Sequence, residues 1–269
     1  DLKMRIAIFE NIMTPGGHEV EFDRILVEEF RALGHEVEFY VPQNFKFQFD
    51  YQTPVTRLNG DAVTYTNSRG LKKIFAAIKR EFNRQRWYSQ LLILQKKFDA
   101  LIVPTSTYRY LRALNHSDLK KISVPLIFIL HGINPAEAPK FLAATDKLSA
   151  NKNIKSVVLT FTDNIFGQRR DNIFTIYPPT YTARDVKIPD TRHLNPYTLK
   201  IGFFGQYRRE KNLRGLLEVY LKGNYTRQVE LLVQGSTMHA EDTQDFEEII
   251  GQYSGVEGLS FLQIGRAHV

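Results

Sequence analysis

Three stretches of the chain bring together residue types that could do chemistry. The first is GFFGQYRREKNLRGLLEV at 202–219, where a glycine-bounded apolar pair leads to Arg208, Arg209, Lys211 and Arg214 and then to helical spacing. Cations gathered after a short apolar run suit an anionic ligand. The competing reading is an exposed basic turn, since charge runs usually face solvent. The second stretch is PGGHE at 15–19. A strand that ends in two glycines before a helix lets a ligand approach backbone N–H groups, and the helix N-terminus carries partial positive charge. Gly16, Gly17 and His18 could therefore cradle a phosphate or orient an acceptor, or the glycines could simply close a tight turn. The spacing does not match G-x-G-x-x-G, so a nicotinamide-cofactor fingerprint is not supported. The third is His131, between the apolar run 126–130 and Gly132. That position is the carboxyl edge of a strand, where ligands of open α/β sheets gather, although a lone histidine is more often a structural hydrogen-bonding residue. His35, His116, His193 and His239 have the setting of surface or turn residues.

The elements that must hold these residues alternate between strand and helix. RIAIFE (5–10) predicts a strand, and Phe22, Leu26, Phe30 and Leu33 define one apolar helix face that ends at Gly34. Val37, Phe39 and Val41 alternate as the next strand, completing a βαβ unit. FDALIVP (98–104), VPLIFILHG (124–132), SVVLTFT (156–162) and NIFTIYPP (172–179) repeat the theme, which implies a mostly parallel sheet. KIPDTRHLNPY (187–197) is polar and aperiodic with two prolines, and predicts a linker. A second α/β unit follows, with strand TLKIGFFG (198–205), helix NLRGLLEVYLK (212–222) and strand VELLVQG (229–235).

Composition sets limits on partners. A chain of 269 residues, 43% hydrophobic and 24% charged, can bury a full core and accommodate two domains. Its apolar runs, such as VPLIFIL (124–130), fall far short of the roughly 20 residues that span a bilayer, so no transmembrane helix is expected. DLKMRIAIFE has no secretory-signal pattern, and Met4 is a candidate start. Zero cysteines exclude thiolate chemistry and fit a cytoplasmic setting. A net charge of +7 favours anionic partners. Much of that charge lies at 69–97, which has nine basic residues against one acidic. There Leu71, Phe75, Ile78 and Phe82 share a helical face flanked by Lys72, Lys79 and Arg86, with Trp87 and Tyr88 suited to a lipid interface. Such a helix can lie peripherally on the anionic inner face of a membrane, while the same stripe can equally be core. No recognition motif accompanies it, so no nucleic-acid partner is expected.

Taken in order, PGGHE (15–19), RALGHEVEFYVP (31–42), LHG (130–132), IYPPTY (176–181) and FGQYRREKNL (204–213) resemble the retaining family 4 of GT-B fold glycosyltransferases, nearly to Gln263. The resemblance implies an α/β fold of two Rossmann-like domains facing a cleft. Residues 1–186 would form the acceptor-side domain, 187–197 the linker and 198–263 an incomplete nucleotide-sugar domain. It places Gly16 and Gly17 at the cleft and His131 near the transferred sugar. In the family phrase G-R-x-x-x-E-K-G, the arginine and lysine neutralise the donor diphosphate. Lys211 matches that lysine, Gln206 stands at the arginine position and Asn212 replaces the usual glycine. Glutamine cannot supply charge or a guanidinium clamp, so Arg208 or Arg209 would have to compensate around a diphosphate site centred on Gly205 and Lys211.

The expected activity is transfer of a sugar from a nucleotide-diphosphate sugar to a glycan, lipid-linked or protein acceptor in cell-surface polysaccharide or glycoconjugate synthesis. Configuration would be retained, with no cofactor and no metal, there being no convincing DxD motif. Rivals on the same fold are a nucleotide-sugar epimerase or a phosphorylase, and Gln206 keeps open a non-catalytic sugar-nucleotide or surface-binding module. The family's E-x7-E signature would lie beyond the strand containing Phe261. IGRAHV (264–269) matches a translated sequencing adapter, so the natural protein is expected to diverge after Gln263 and continue, and residues 1–263 could be inactive alone.

Overall fold

RIAIF forms β1 (Arg5–Phe9), whose side chains alternate between two buried faces: Ile6 and Ile8 on one, Ala7 and Phe9 on the other. A strand covered on both sides has to be apolar throughout, as strands of parallel sheets are. The computed structural model describes residues 3–12, 18–47, 50–62, 71–161, 166–167, 170–178, 197–237 and 240–263. The chain divides into two compact units, Asp1–Thr180 and Tyr181–Val269. This division falls ahead of the 187–197 segment, of which 187–196 lie outside the described residues, as do 264–269.

In the first unit β1 is followed by α1 (His18–Ala32), β2 (Glu36–Val41), β3 (Val55–Arg57), α2 (Leu71–Leu94), β4 (Ala100–Val103) and α3 (Tyr108–Leu114). Then come β5 (Leu126–Leu130), α4 (Ala138–Leu148), β6 (Ile154–Leu159) and β7 (Ile173–Ile176). The sheet is parallel with strand order β3-β2-β1-β4-β5-β6-β7. Phe22 and Val27 of α1 pack on one face, while residues of α2, α3 and α4 pack on the other around Phe128 and Leu101. Strand order reverses between β1 and β4, which opens a crevice at their carboxyl ends.

α1 ends as its glycine predicts. Gly34 takes φ +87°, its N–H donates to Arg31 O at 2.9 Å, and the N–H of His35 reaches back to Phe30 O at 3.0 Å. These are the two hydrogen bonds of a Schellman motif, closed by the Phe30–His35 ring contact. Leu33 departs from expectation: it lies past the last helical turn and points into solvent rather than joining Phe22 on the buried face.

α2 corrects a larger expectation. Trp87, Tyr88 and Leu91 are buried in the core rather than presented to an interface, together with Asn83 and Arg84. Leu71, Phe75, Ile78 and Phe82 are exposed, so that stripe is not core. No helix among the described residues is long and apolar enough to cross a membrane.

The second unit contains β8 (Thr198–Gln206), α5 (Leu213–Lys222), β9 (Gln228–Ser236), α6 (Ala240–Tyr253) and β10 (Leu259–Gln263). Its parallel sheet runs β10-β9-β8. Leu213 and Leu217 of α5 and Phe246 and Ile249 of α6 close one face over Val229, Leu231 and Val233.

Candidate functional site

In the second unit, the carboxyl end of β8 collects the residues singled out in its sequence. Gly205 adopts φ +108°, and Lys211 Nζ lies 3.5 Å from where a β-carbon on Gly205 would be. Gly205 stands in register with Gly235 on β9, and a β-carbon on Gly235 would come within 3.1 Å of Gly205 O. The positive φ of Gly205 and the close carbonyl opposite Gly235 both disfavour a side chain, which leaves bare backbone beside a cation. Gln206 Oε1 accepts a hydrogen bond from Arg208 Nη2 at 3.4 Å, while its Nε2 is buried with no hydrogen-bond partner among the described residues. Lys211 makes no ion pair among the described residues.

The other two cations of the cluster face α6. The N–H of Arg209 donates to Asp242 Oδ1 at 3.3 Å, Arg209 Nη2 donates to Glu241 O at 3.2 Å, and Arg209 Nε lies 3.9 Å from Asp245. Arg214 Nη2 donates to Asp245 Oδ1 at 2.9 Å, and the Tyr207 hydroxyl donates to Oδ2 of the same carboxylate. The Tyr207 hydrogen bond, joined by Arg214, holds the Asp245 carboxyl below its ordinary value. This network fastens the cationic turn to α6. Arg208 is held within the turn itself, its Nη1 3.5 Å from Glu210 Oε1 and its Nη2 donating to Gln206.

Asn212 explains its own departure from glycine. It adopts φ +51°, a left-handed conformation that favours glycine and, among other residues, asparagine and aspartate. From there its side chain accepts a hydrogen bond from Gly215 N at 3.3 Å and caps α5.

In the first unit, His131 sits at the end of β5, half-buried. Its Nε2 lies 2.8 Å from Pro104 O, which can only accept, so Nε2 carries the proton. The ring also meets Phe22 edge-on at 4.8 Å between centroids. Beside it, at the β1–β4 crevice, is a polar network that the sequence reading did not find. Thr105 Oγ1 donates to Glu10 Oε2 at 2.7 Å, Ile12 N donates to Oε1 at 3.1 Å, Asn11 Nδ2 donates to Thr105 O, and the Tyr110 hydroxyl donates to Asn11 Oδ1. Arg84 lies over the Tyr110 ring at 4.8 Å. Glu10 is fully buried and interacts with the carboxyl of Asp23, which is buried too. Burial pushes the Glu10 carboxyl up from 4.5 to about 7, against the opposing effect of its hydrogen bonds, so the pair holds a proton well above the usual carboxylate range. The available signal was positional: polar residues follow both β1 and β4, the strands flanking the reversal.

Gly16 and Gly17 lie outside the described residues, as do Pro179, Thr180 and Tyr181 of the IYPPTY phrase, His193 and His239. His18 is the first residue of α1, and its side chain is also outside them. Among the described residues, no group of three or more His, Cys, Asp or Glu could hold a metal ion.

No protein-family model matches the chain, and no curated protein is significantly similar to it. Solved structures are similar. Anabaena HepE, crystallised with UDP and glucose, matches over 97% of this chain and 69% of its own, with 14% identity and a TM-score of 0.59. The catalytic domain of starch synthase IV from Arabidopsis thaliana, bound to ADP and acarbose, matches over 97% and 74%, with 12% identity and a TM-score of 0.64. A glycosyltransferase from Rickettsia africae matches over 97% and 68%, with 12% identity and a TM-score of 0.56. On this likeness the chain has the α/β fold of the GT-B glycosyltransferases.

Proposed function

We propose that the protein is a glycosyltransferase that moves a sugar from a nucleotide-diphosphate sugar to a glycan, lipid-linked or protein acceptor in cell-surface polysaccharide or glycoconjugate synthesis. The observation that carries this reading is the bare backbone of Gly205 with Lys211 Nζ beside it and Arg208 against Gln206, at the carboxyl edge of a parallel sheet. It is supported by a fold shared with proteins whose crystals hold UDP with glucose, or ADP. As the bond from the anomeric carbon to the diphosphate breaks, its electrons go to the departing diphosphate, the acceptor oxygen bonds to the anomeric carbon in its place, and the hydroxyl proton passes to a diphosphate oxygen. Cations held in position stabilise that growing charge most in the transition state. In this reading Lys211 and Arg208 supply the charge that Gln206 lacks, without a metal ion, and Arg209 holds the turn to α6. His131, its ring fixed by Pro104 O and Phe22, would contact the transferred sugar. Retention of configuration belongs to the same reading through the family resemblance.

Calorimetric titration of the natural full-length chain with UDP, ADP and GDP sugars tests the site, paired with an assay of nucleotide release in the presence of membrane-extract acceptors. Lys211→Ala should weaken binding at least tenfold, the scale of a lost charged hydrogen bond at about 1.5–3 kcal/mol. Binding that Lys211→Ala leaves unchanged overturns the diphosphate assignment. The second reading, a non-catalytic sugar-nucleotide module, rests on Gln206. It is favoured if nucleotide binds without release and Gln206→Arg raises affinity without restoring turnover.

A further inference from the structure

α2 presents two opposite faces, and the known fold accounts for only one. At 100° per residue, Asn83, Arg84, Trp87, Tyr88 and Leu91 cluster on the side turned into the core. Leu71, Ile74, Phe75, Ile78 and Phe82 cluster about half a turn away, with 73%, 57%, 68%, 61% and 64% of their surfaces exposed. Five large apolar side chains at spacings of three, one, three and four residues make a continuous stripe along about 16 Å of helix. Isolated exposed apolar residues need no explanation, but a contiguous stripe does. Lys72, Lys79 and Arg86 run along one border of it, and all three are exposed.

We propose that the first three turns of α2 dock on an anionic lipid bilayer. The stripe enters the headgroup–acyl boundary, while the bordering cations reach the anionic headgroups on their flexible stems. Charge complementarity selects this occupant: within α2, Lys72, Lys73, Lys79, Arg80, Arg84 and Arg86 face a single acidic residue, Glu81. Of these, Arg84 is buried and paired with Glu81 at 2.9 Å, which removes that one negative charge from competition. A nucleic-acid surface would use the cations but leave the five apolar side chains in water. A second copy of the same helix would bring like charges together. The inference does not depend on the glycosyltransferase reading and survives or fails separately from it.

Vesicle flotation of the full chain tests it, using phosphatidylcholine vesicles with and without phosphatidylglycerol. Binding is expected only with phosphatidylglycerol and is expected to weaken at high salt. Phe75→Ser with Ile78→Ser, and separately Lys72→Glu with Lys79→Glu, should each reduce bound protein at least tenfold. Leu33→Ser, equally exposed but at the end of α1, should not. Circular dichroism and light scattering accompany every variant. The proposal is overturned by equal binding to both vesicle types, by binding to neither, or by vesicle binding that both double variants retain. It is also overturned by a fall from dimer to monomer mass in Phe75→Ser with Ile78→Ser, which would identify the stripe as an interface between copies, or by a polyanion such as heparin or DNA binding tightly in a manner that the serine pair does not affect.

Discussion

The two units solve the same architectural problem to different depths. The seven-stranded sheet of the first unit is covered on both faces, so Ile8, Phe39 and Phe128, on opposite sides, are all inaccessible to water. Among the described residues, the three-stranded sheet of the second unit is covered on one face, and Phe204 and Leu262 on its other face are 60% and 52% exposed. The polar chemistry divides in the same way. At the β1–β4 crevice, buried Glu10 and Asn11 hydrogen-bond with half-buried Thr105 and Tyr110, whereas at the end of β8 Arg208 and Lys211 face solvent. Burial builds a network whose geometry is fixed before any ligand arrives. Exposure leaves cations whose hydration a ligand must replace, held only by the turn beneath them.

The largest expected effect separates the sheets directly. Phe128→Ala should cost about 3–5 kcal/mol, because it removes a ring from a core closed on both sides. Phe204→Ala should cost under about 1 kcal/mol, since it loses little more than the contact its ring makes across the bare Gly202 backbone. Equilibrium denaturation of both variants checks this. A Phe204 penalty matching that of Phe128 would mean the second face of the small sheet is covered, and the comparison would collapse.

A somewhat smaller effect separates the polar groups by sign. Burial raises Glu10 from 4.5 to about 7, so the stability gained by keeping its proton is complete below 4.5 and is lost as pH climbs through about 7. Hydrogen bonds from Tyr207 and Arg214 lower Asp245, so its contribution is present above its ordinary 3.8 and is lost only as pH falls below that. Raising the pH from 4.5 to 8 should therefore loosen the first unit by up to about 3 kcal/mol, at about 1.4 kcal/mol per pKa unit, and leave the second unaffected. Hydrogen exchange read separately in each unit measures this. Glu10→Gln should flatten the profile of the first unit, and a profile unchanged by that substitution would remove the buried proton from the account.

Strands were legible in the sequence where apolar residues formed short runs closed by glycine or proline, as in β1, β4, β5 and β8. β3 was not, because Val55–Arg57 is three residues long and exposed throughout, so no burial pattern marks it. In α2 the stripe was visible but its environment was not. The buried positions include Asn83 and Arg84, which disguise the core face, while the more regular apolar face looks outward. The cationic turn was legible because its members are neighbours in the chain. The crevice network was not, since Thr105 and Glu10 are 95 residues apart and Tyr110 and Asn11 are 99 apart, and only strand order brings them together.

The smallest expected effect sharpens the difference where the exposed site meets its scaffold. Asn212 meets two demands at once: a positive φ, which glycine would satisfy more freely, and a cap on α5, which glycine would not supply. Asn212→Ala fails both and should cost about 1–2 kcal/mol, while Asn212→Gly should cost a few tenths. Because Lys211 immediately precedes this residue, the turn conformation also sets where Nζ lies over Gly205. Nucleotide affinity should therefore fall with Asn212→Ala and stay near its original value with Asn212→Gly, measured by the titration used for Lys211→Ala. If both variants lose affinity alike, the cap rather than the left-handed turn positions the cation, and the asparagine is then a working replacement for glycine rather than a tolerated one.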